Sequence, residues 1–350
     1  MRVLILDTCY GAFLESHYGS KPGLAAGSYH EQWQALMNTH FGTADAYSHN
    51  LAKVGVSAHE LVVDAHHLQQ AWALEHGAAL EGDALVLEQV RRFQPDVVYL
   101  QNLNVLDDAT LAALRGDGRL LAGQIASAAP DAERLRRFDL LLTSFPHFVE
   151  RFRALGVDSE YFRIGFDSRI LDDLDDTPPS RELVFVGALN RLRHRRGNST
   201  FNRAARRLPI EFWGYDLRGW PPWSRIRRGY RGEAWGIDMY RLLRNARISL
   251  NRHIGEAEGH ANNMRLYEAT GVGSLLLTDE GSNLSDLFEP GREVVTYAGV
   301  DDLVEKARHY LNHEEERTAI AAAGQARTLR DHTYEMRMRE LAEILRSRLP

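Results

Sequence analysis

Residues 262–297 read NNMRLYEATGVGSLLLTDEGSNLSDLFEPGREVVTY, a clear succession of helix, tight turn and strands. The residues before the turn have the periodicity of a helix, and Arg265 and Glu268 are three positions apart, so they share one face of it. The Gly-Val-Gly turn ends this helix, because glycine tolerates the left-handed backbone that closes a last turn. The apolar run 274–278 then predicts a short strand buried in a parallel sheet. The stretch therefore predicts an α/β fold.

The start of the same helix is a candidate site for an anion. A helix N-terminus presents unpaired backbone N–H groups and a partial positive charge, and residues 260–263 stand at that point. Arg265 supplies a cation one turn further along. Glu268 is placed to accept hydrogen bonds from a diol such as a ribose. An ion pair between Arg265 and Glu268 is the structural alternative.

Residues 250–337 carry a series of motifs, in order N-x-x-R-x-x-E-A-x-G-x-G, L-L-T-D, L-F-E-P-G-x-E-V-x-x-Y, D-L, I-A-x-x-G and H-T-Y-x-x-R. This series resembles the C-terminal half of glycosyltransferases of the group 1 type, and it is most similar to their CgeB-like, spore-maturation-protein branch. The resemblance implies the GT-B fold, an α/β architecture of two Rossmann-like domains facing across a cleft. It also implies a hexosyltransferase-like enzyme that uses a nucleoside-diphosphate-sugar donor, retains anomeric configuration and needs no bound divalent ion.

The resemblance also assigns roles to residues around this helix. Glu268 is the carboxylate that binds the nucleotide ribose, and Asn262 and Asn263 belong to the same nucleotide site. Arg265 and His260 are catalytic candidates beside the diphosphate and the donor sugar. We expect Glu268→Ala to weaken nucleotide binding with little loss of stability, because it removes ligand hydrogen bonds rather than core volume. We expect Arg265→Ala to weaken diphosphates more than the bare nucleoside.

His260 departs from the pattern of the family. Many relatives carry a glutamate near the donor sugar at this position, whereas Glu256 and Glu258 are the nearby carboxylates here. Either of these two is a candidate substitute. The residue that contacts the sugar is therefore left open between them and His260.

A phosphate-side loop is predicted after the first strand of the second domain. Gly187 ends the strand 182–187, and the basic residues Arg191 and Arg193 follow it. The stretch is not a Walker sequence and has no G-x-G-x-x-G run, so the prediction depends on topology. Tyr215, which ends the next strand, is assigned to the same nucleotide site.

His147 is the catalytic candidate of the first domain. It lies at a strand-to-helix junction, where loops of parallel α/β sheets bind ligands, and group 1 relatives often have a histidine near the donor sugar. A helix-capping or surface histidine is the equal alternative. Asp7, His30 and Gln101 are further candidates near strand ends. No general base is assigned, since in a retaining transfer the departing phosphate itself can assist the attack.

Composition is that of an ordinary soluble globular protein. The chain of 350 residues is 44% hydrophobic and has a net charge of −6 and a mean hydropathy of −0.37. The acidic balance argues against broad binding of nucleic acid or anionic membranes, although local basic patches are compatible with it. The single cysteine, Cys9, excludes an internal disulfide and a thiolate zinc site. We expect a cytoplasmic protein with no metal, no cofactor and no integral membrane segment, whose partners are a nucleotide-sugar donor and a small-molecule, glycan or protein acceptor.

The length and the alternating strand and helix patterns predict two domains. Residues 1–171 form an acceptor-side Rossmann-like domain, and residues 182–330 form the nucleotide-sugar-binding one. The acidic, proline-bearing stretch 172–181 links them. The resemblance implies that residues 331–350 form a helix packing back toward the first domain. Residues 8–29 are rich in glycine and predict a long loop without a helix.

Three other interpretations stay open. A chain of this fold can be a non-catalytic sugar-nucleotide or protein-binding module, which would leave a donor intact. A sugar-nucleotide epimerase of the same fold would release the nucleotide without an acceptor and would use paired carboxylates. Residues 218–228 interleave arginine with tryptophan, as sites for single-stranded nucleic acid do, but the stretch is short and the chain is acidic.

Overall fold

The computed structural model describes residues 1–115, 118–192 and 194–349. Two compact units divide these residues: one is Met1–Arg163 together with the C-terminal helix, and the other is Ile164–Thr333. Each unit contains one parallel sheet connected through helices. The predicted α/β fold class with two Rossmann-like domains is therefore confirmed.

The first unit has six parallel strands among its described residues. They are β1 (Arg2–Asp7), β2 (Ser57–Val62), β3 (Val97–Leu100), β4 (Leu120–Gln124), β5 (Leu140–Thr143) and β6 (Asp158–Tyr161). Their order across the sheet is β2-β1-β3-β4-β5-β6. Strands β3 and β5 are buried along their whole length, which is typical of a parallel sheet covered on both faces.

Helices connect these strands. They are α1 (Gly11–Gly19), α2 (Tyr29–Met37), α3 (Ala46–Ala52), α4 (His66–Glu75), α5 (Gly82–Phe93), α6 (Asp108–Arg115), α7 (Ala132–Leu135) and α8 (Pro146–Ala154), with a 3₁₀ helix at Leu24–Ala26. Residues 82–93 have an amphipathic pattern in the sequence, and α5 has the same bounds.

The prediction of a helix-free loop over residues 8–29 is wrong, because α1 forms there. Phe13 and His17, one turn apart, are buried, and the Phe13 ring stacks on Phe41 with centroids 3.9 Å apart. Gly11 and Gly19 stand at the two ends of α1, and the other two glycines of this stretch, Gly23 and Gly27, follow the helix. Tertiary packing of Phe13 therefore stabilises a helix that the local composition does not favour.

The second unit also has six parallel strands among its described residues. They are β7 (Arg181–Val186), β8 (Ile210–Trp213), β9 (Tyr230–Gly232), β10 (Ala246–Leu250), β11 (Leu275–Asp279) and β12 (Val295–Tyr297), in the order β12-β11-β10-β7-β8-β9. Its helices are α9 (Arg195–Ala204), α10 (Arg225–Gly229), α11 (Gly236–Arg244), α12 (Met264–Gly271), α13 (Leu284–Leu287), α14 (Val300–Asn312) and α15 (Glu314–Asp331), with 3₁₀ helices at Ser168–Asp173 and Gly255–Ala257. The helix and strand predicted at 262–278 are thus α12 and β11.

The sequence predicts a helix over residues 314–324, and α15 continues past Gly324 to Asp331. A Cβ on Gly324 would overlap the carbonyl oxygen of Glu293. Gly324 therefore allows α15 to pack closely against the backbone at Glu293, and it does not end the helix.

Two segments, residues 172–181 and the C-terminal helix, concern the domain boundaries predicted from the sequence. The predicted linker, residues 172–181, falls inside the second unit, which begins at Ile164 and buries Ile170. The last helix, α16 (Tyr334–Arg346), belongs to the first unit and packs on α3.

A buried carboxyl group on β2 makes the first unit sensitive to pH. Glu60 is 1% exposed. The backbone N–H and the hydroxyl of Ser48 both contact its carboxyl group, at 2.7 and 2.5 Å. Burial raises the pKa of Glu60 from 4.5 to about 8.

Between about pH 4.5 and pH 8 the folded chain therefore holds a proton on Glu60 that the unfolded chain has released, so stability falls as the pH rises. Glu60→Gln keeps the shape of the neutral carboxyl group and removes this titration. We expect the variant to be more stable than the parent at about pH 8.5 by about 1–3 kcal/mol, with a smaller difference at about pH 5.5. Urea unfolding at the two pH values measures this, and parallel losses of stability in both proteins would contradict it.

Candidate functional site

The predicted anion site lies at the carboxyl edge of the second sheet, where loops of parallel α/β sheets bind ligands. Strands β7, β10 and β11 are neighbours at this edge. Gly187 follows β7, residues 251–253 follow β10, and Asp279 ends β11. Helix α12 begins beside the end of β10, as the contacts of Asn263 establish.

Asn263 attaches the start of α12 to the end of β10. Its Oδ1 accepts a hydrogen bond from the Leu266 backbone N–H at 3.3 Å, so it is the N-cap of the helix. Its amide and that of Asn251 exchange hydrogen bonds at 2.9 and 3.2 Å, and its Nδ2 also donates to the Arg252 carbonyl at 3.1 Å. The neighbouring Asn262 is buried. The side chain of Asn263 therefore holds the helix in place, and the nucleotide roles of both asparagines stay predictions.

Arg265 and Glu268 form an ion pair on α12. Nη1 of Arg265 lies 2.9 Å from Oε2 of Glu268, and the two side chains are only 13% and 8% exposed. The Tyr240 hydroxyl donates to Glu268 Oε1 at 3.4 Å. Arg265 Nη2 contacts Met239 Sδ at 3.2 Å, whereas Arg265 Nε is buried and has no hydrogen-bond partner in the described part of the chain. The structure therefore contains the ion pair between Arg265 and Glu268 that was the structural alternative to a free ribose-binding carboxylate.

Burial of this pair changes the expectation for Glu268→Ala. Without Glu268, the Arg265 guanidinium remains buried and loses its carboxylate, which costs about 3–5 kcal/mol. The structure therefore leads us to expect a loss of stability of this size in place of the small loss predicted from the sequence. The sequence gives the spacing of the two residues, but their burial depends on α11 packing against α12.

Arg252, which was not among the predicted site residues, is a buried cation directly after β10. It is 7% exposed. Its Nε donates to Asn198 Oδ1 at 2.9 Å and its Nη2 to the Ala188 carbonyl at 2.8 Å, and the guanidinium lies 5.5 Å from the centroid of the Phe185 ring. Gly197 leaves room for it, because a Cβ there would overlap the Arg252 side chain.

Within the described residues, no carboxylate forms an ion pair with Arg252. Its hydrogen-bond acceptors are one amide and one backbone carbonyl, and neither contacts Nη1. Burial lowers the pKa of Arg252 to about 10, against the opposing effects of Tyr297 and Asp279, so it stays charged at neutral pH. A buried cation that is not paired directly with a carboxylate is costly. An anionic ligand at this edge would pair with it directly.

His253 and Asp279 form a second polar pair at the same edge. Nδ1 of His253 lies 2.6 Å from Oδ1 of Asp279, and the His253 backbone N–H donates to the same oxygen at 3.0 Å. The Asp279 carboxylate accepts, so Nδ1 of His253 is the donor of this hydrogen bond. The His253 side chain is 6% exposed, and Nε2 has no hydrogen-bond partner among the described residues. The position directly after the buried strand β10 is the sequence signal that could have identified both Arg252 and His253.

Gly187 and Tyr215, two further predicted residues, follow the neighbouring strands β7 and β8. The Gly187 N–H donates to the Trp213 carbonyl at 3.0 Å, and the carbonyl just before it accepts from Arg265 Nη2 at 3.4 Å. The ring of Tyr215 stacks on Trp235 with centroids 5.3 Å apart. Gly187 is therefore next to the buried ion pair of α12.

The other predicted residues of this unit are placed differently. His260 follows the 3₁₀ helix Gly255–Ala257, and its Nδ1 lies 3.1 Å from the Ala257 carbonyl. Arg191 is exposed and donates to the Gly219 carbonyl at 3.2 Å. Arg193 lies outside the described residues.

His147, at the start of α8, belongs to the first unit. Its ring lies 5.5 Å from the Phe145 ring in a stacked arrangement, and it meets the Phe148 ring edge-on at 4.8 Å. Aromatic packing therefore orients this histidine. Its catalytic role stays a prediction.

The remaining candidates of the first unit stand at the carboxyl edge of its sheet or on α2. Burial raises the pKa of Asp7, at the end of β1, to about 6, and the Thr8 N–H donates to its carboxylate at 2.7 Å. Gln101 follows β3 and accepts from Thr43 Oγ1 at 3.1 Å. His30, on α2, is exposed.

Two further observations concern metals and membranes. The described residues contain no group of three or more histidine, cysteine or carboxylate side chains placed to hold a metal ion. None of the helices in this part of the chain combines the length and the apolar character that crossing a membrane requires.

The described residues form two Rossmann-like units with parallel sheets, and the second unit holds a buried cation, Arg252, whose backbone contacts the N-cap of α12. Residues 193–343 match the model of a family described as "Glycosyl transferase-like". No curated protein sequence matches the chain.

Several solved structures share this fold across almost the whole chain. HepE from Anabaena, in complex with UDP-glucose, has a TM-score of 0.63 and 14% identity over 99% of this chain and 100% of HepE. Sucrose-phosphate synthase from Thermosynechococcus elongatus has a TM-score of 0.61 and 10% identity over 99% of this chain and 98% of its own. AviGT4, a glycosyltransferase involved in avilamycin A biosynthesis, has a TM-score of 0.59 and 15% identity over 99% and 97%. These similarities confirm the GT-B fold, whereas the CgeB-like branch stays a prediction.

Proposed function

We propose that this chain is a glycosyltransferase that moves a sugar from a nucleoside-diphosphate-sugar donor to an acceptor hydroxyl. The observation that carries the proposal is the buried Arg252, which lacks a carboxylate partner in the described residues and whose backbone carbonyl accepts a hydrogen bond from Asn263, the N-cap of α12. The family match over residues 193–343 supports the same activity. HepE, a structural neighbour, was solved with UDP-glucose, so a uridine nucleotide is the first donor to test.

The chemistry requires fixed positive charge near the diphosphate. As the bond between sugar and phosphate breaks, negative charge builds on the leaving group, and preorganised donors stabilise it most effectively. In this proposal Arg252 Nη1 and the backbone N–H groups at the start of α12 donate hydrogen bonds to the diphosphate oxygens. Charge neutralisation is thereby assigned to the protein rather than to a divalent ion, as the resemblance to group 1 enzymes implies.

Glu268 keeps its proposed role at the nucleotide ribose. An ionised carboxylate has about four lone-pair positions, and Arg265 and Tyr240 use two of them here. The ribose hydroxyls would donate to the remaining ones. Arg265 then acts as a positioning residue that orients Glu268, besides adding positive charge near the diphosphate.

The finer features of the proposal follow the resemblance. They are a hexosyl donor, retention of configuration, membership of the CgeB-like branch and a cytoplasmic setting. The acceptor is a small molecule, glycan or protein. His147 is proposed as the contribution of the first unit, and His260 as the group nearest the donor sugar in the second.

A nucleotide screen followed by a turnover assay tests the proposal. We expect one of UDP, GDP, dTDP or ADP to raise the melting temperature of the protein, and the matching nucleotide sugar to be hydrolysed slowly to the free diphosphate. Binding without hydrolysis, with or without candidate acceptors, would favour a sugar-nucleotide-binding module. Appearance of an epimerised sugar would favour an epimerase, and no response to any nucleotide would contradict the proposal.

A further inference from the structure

The charge of the chain is distributed unevenly. The net charge is −6, yet residues 188–232 contain twelve arginines and only two acidic residues, Glu211 and Asp216. Both acids are engaged, because Glu211 pairs with Arg181 and Asp216 pairs with Arg218. This segment is therefore strongly basic within an acidic protein.

The arginines of this segment are largely exposed and unpaired. Several make no ion pair within the described residues and stand exposed on α9 or α10 or within two residues of the end of one of these helices. They are Arg195, Arg196, Arg203, Arg206, Arg225, Arg228 and Arg231. Unpaired guanidinium groups on one segment create a positive potential that attracts anionic surfaces.

The elements that carry these arginines form one continuous surface. The side chain of Asn202 on α9 accepts hydrogen bonds from the first two backbone N–H groups of α10, those of Arg225 and Ile226, at 2.8 and 3.2 Å. The loop before α9 joins the loop before α10, because the Arg191 N–H donates to the Arg218 carbonyl at 3.1 Å. Helices α9 and α10 are thus neighbours.

Two large apolar side chains protrude from the same loops. Leu192 is 78% exposed and Trp223 is 72% exposed. Leu192 Cγ would lie 3.7 Å from a Cβ on Gly219, which places it beside the loop that leads to Trp223. We call the surface made by Leu192, Trp223 and the exposed arginines of α9 and α10 the basic apolar face.

We propose that the basic apolar face binds the surface of a bilayer rich in anionic phospholipids. Arginine matches the phosphate groups of such lipids, tryptophan prefers the membrane interface, and leucine is stabilised by entering the acyl region.

A single-stranded nucleic acid is the competing partner. It requires successive aromatic rings for stacking, whereas Trp223 is the one large exposed aromatic residue on this face within the described residues, and Leu192 has no role in stacking. The inference is independent of whether the chain transfers a sugar.

Flotation with vesicles tests this inference. We expect the full chain to float with phosphatidylcholine vesicles that contain about one-third phosphatidylglycerol and not with pure phosphatidylcholine. The variant Arg225→Gln/Arg228→Gln should weaken binding roughly fivefold for each arginine removed. The variant Leu192→Ser/Trp223→Ser should weaken it at least as much as one arginine does, because it removes the inserted side chains.

A matched control is available on other surfaces. Leu74 is as exposed as Leu192 but lies on α4 in the first unit, and Arg241 is an exposed arginine on α11. The variant Leu74→Ser/Arg241→Gln should float like the parent. Melting temperatures of all variants should be unchanged, since the replaced side chains are exposed. Equal binding to both kinds of vesicle, no binding to either, or tight binding of oligothymidine without flotation would overturn the inference.

Discussion

Arg252→Met should lower the affinity for the nucleoside diphosphate by about 10–100-fold, because a charge-assisted hydrogen bond to a buried ligand is worth about 1.5–3 kcal/mol. Methionine retains most of the apolar stem that lies against Phe185 and Gly197. The protein should fold, since the variant removes a buried charge that has no carboxylate partner in the described residues. Isothermal titration with the diphosphate and with the bare nucleoside measures the effect.

The control for this variant is Arg241→Met. Arg241 lies on α11 in the same unit, but it is exposed and pairs with Asp238 at 3.0 Å. Its replacement should leave both affinities unchanged. If Arg252→Met lost affinity for nucleoside and diphosphate equally, Arg252 would support the loop at Ala188 and Asn198 rather than contact the phosphates.

Glu268→Gln should destabilise the protein by about 3–5 kcal/mol, because Arg265 would remain buried without its carboxylate. The double variant Arg265→Met/Glu268→Leu should recover much of this loss, since it removes both charges together. Urea unfolding of the parent and the two variants gives the comparison. A loss below about 1 kcal/mol for Glu268→Gln would mean that solvent reaches the pair and screens it.

An exposed ion pair with the same spacing provides the reference for the loss of stability expected from Glu268→Gln. Asp238 and Arg241 are also three residues apart on a helix, and their side chains are exposed. Asp238→Asn should cost less than about 1 kcal/mol. The nucleotide role of Glu268 requires a separate measurement, the affinity of Glu268→Gln under conditions that keep the variant folded. We expect its affinity for ribonucleosides to be lower than that of the parent. Retained affinity for every nucleotide would limit Glu268 to a structural role.

The sequence predicted the elements whose signals are local. The apolar run after the Gly-Val-Gly turn is β11, and the periodic stretch before the turn is α12. The spacing of Arg265 and Glu268 placed them on one face, and the structure pairs them. These features depend on residues close together in the chain.

Other features depend on contacts between distant residues. Arg252 is buried by Phe185, Ala188 and Asn198, which come from β7 and the region that follows it. Helix α1 depends on Phe41, which lies after α2. The sequence alone gives no signal for such contacts.

Electrostatic features also divide into those that the sequence predicts and those that depend on contacts between distant residues. The net charge of the chain is negative and does not indicate the basic segment 188–232. A charge count also does not show that α9 and α10 come together on one surface. The alternation of strands and helices predicted two Rossmann-like domains, but the partners of each charge required the folded structure.

A crystal structure with the nucleoside diphosphate selected by the thermal screen tests the central claim most directly. We predict phosphate oxygens within about 3.2 Å of Arg252 Nη1 and of the backbone N–H groups at the start of α12. A diphosphate bound elsewhere on the chain, with Arg252 still held only by Asn198 and Ala188, would contradict the account.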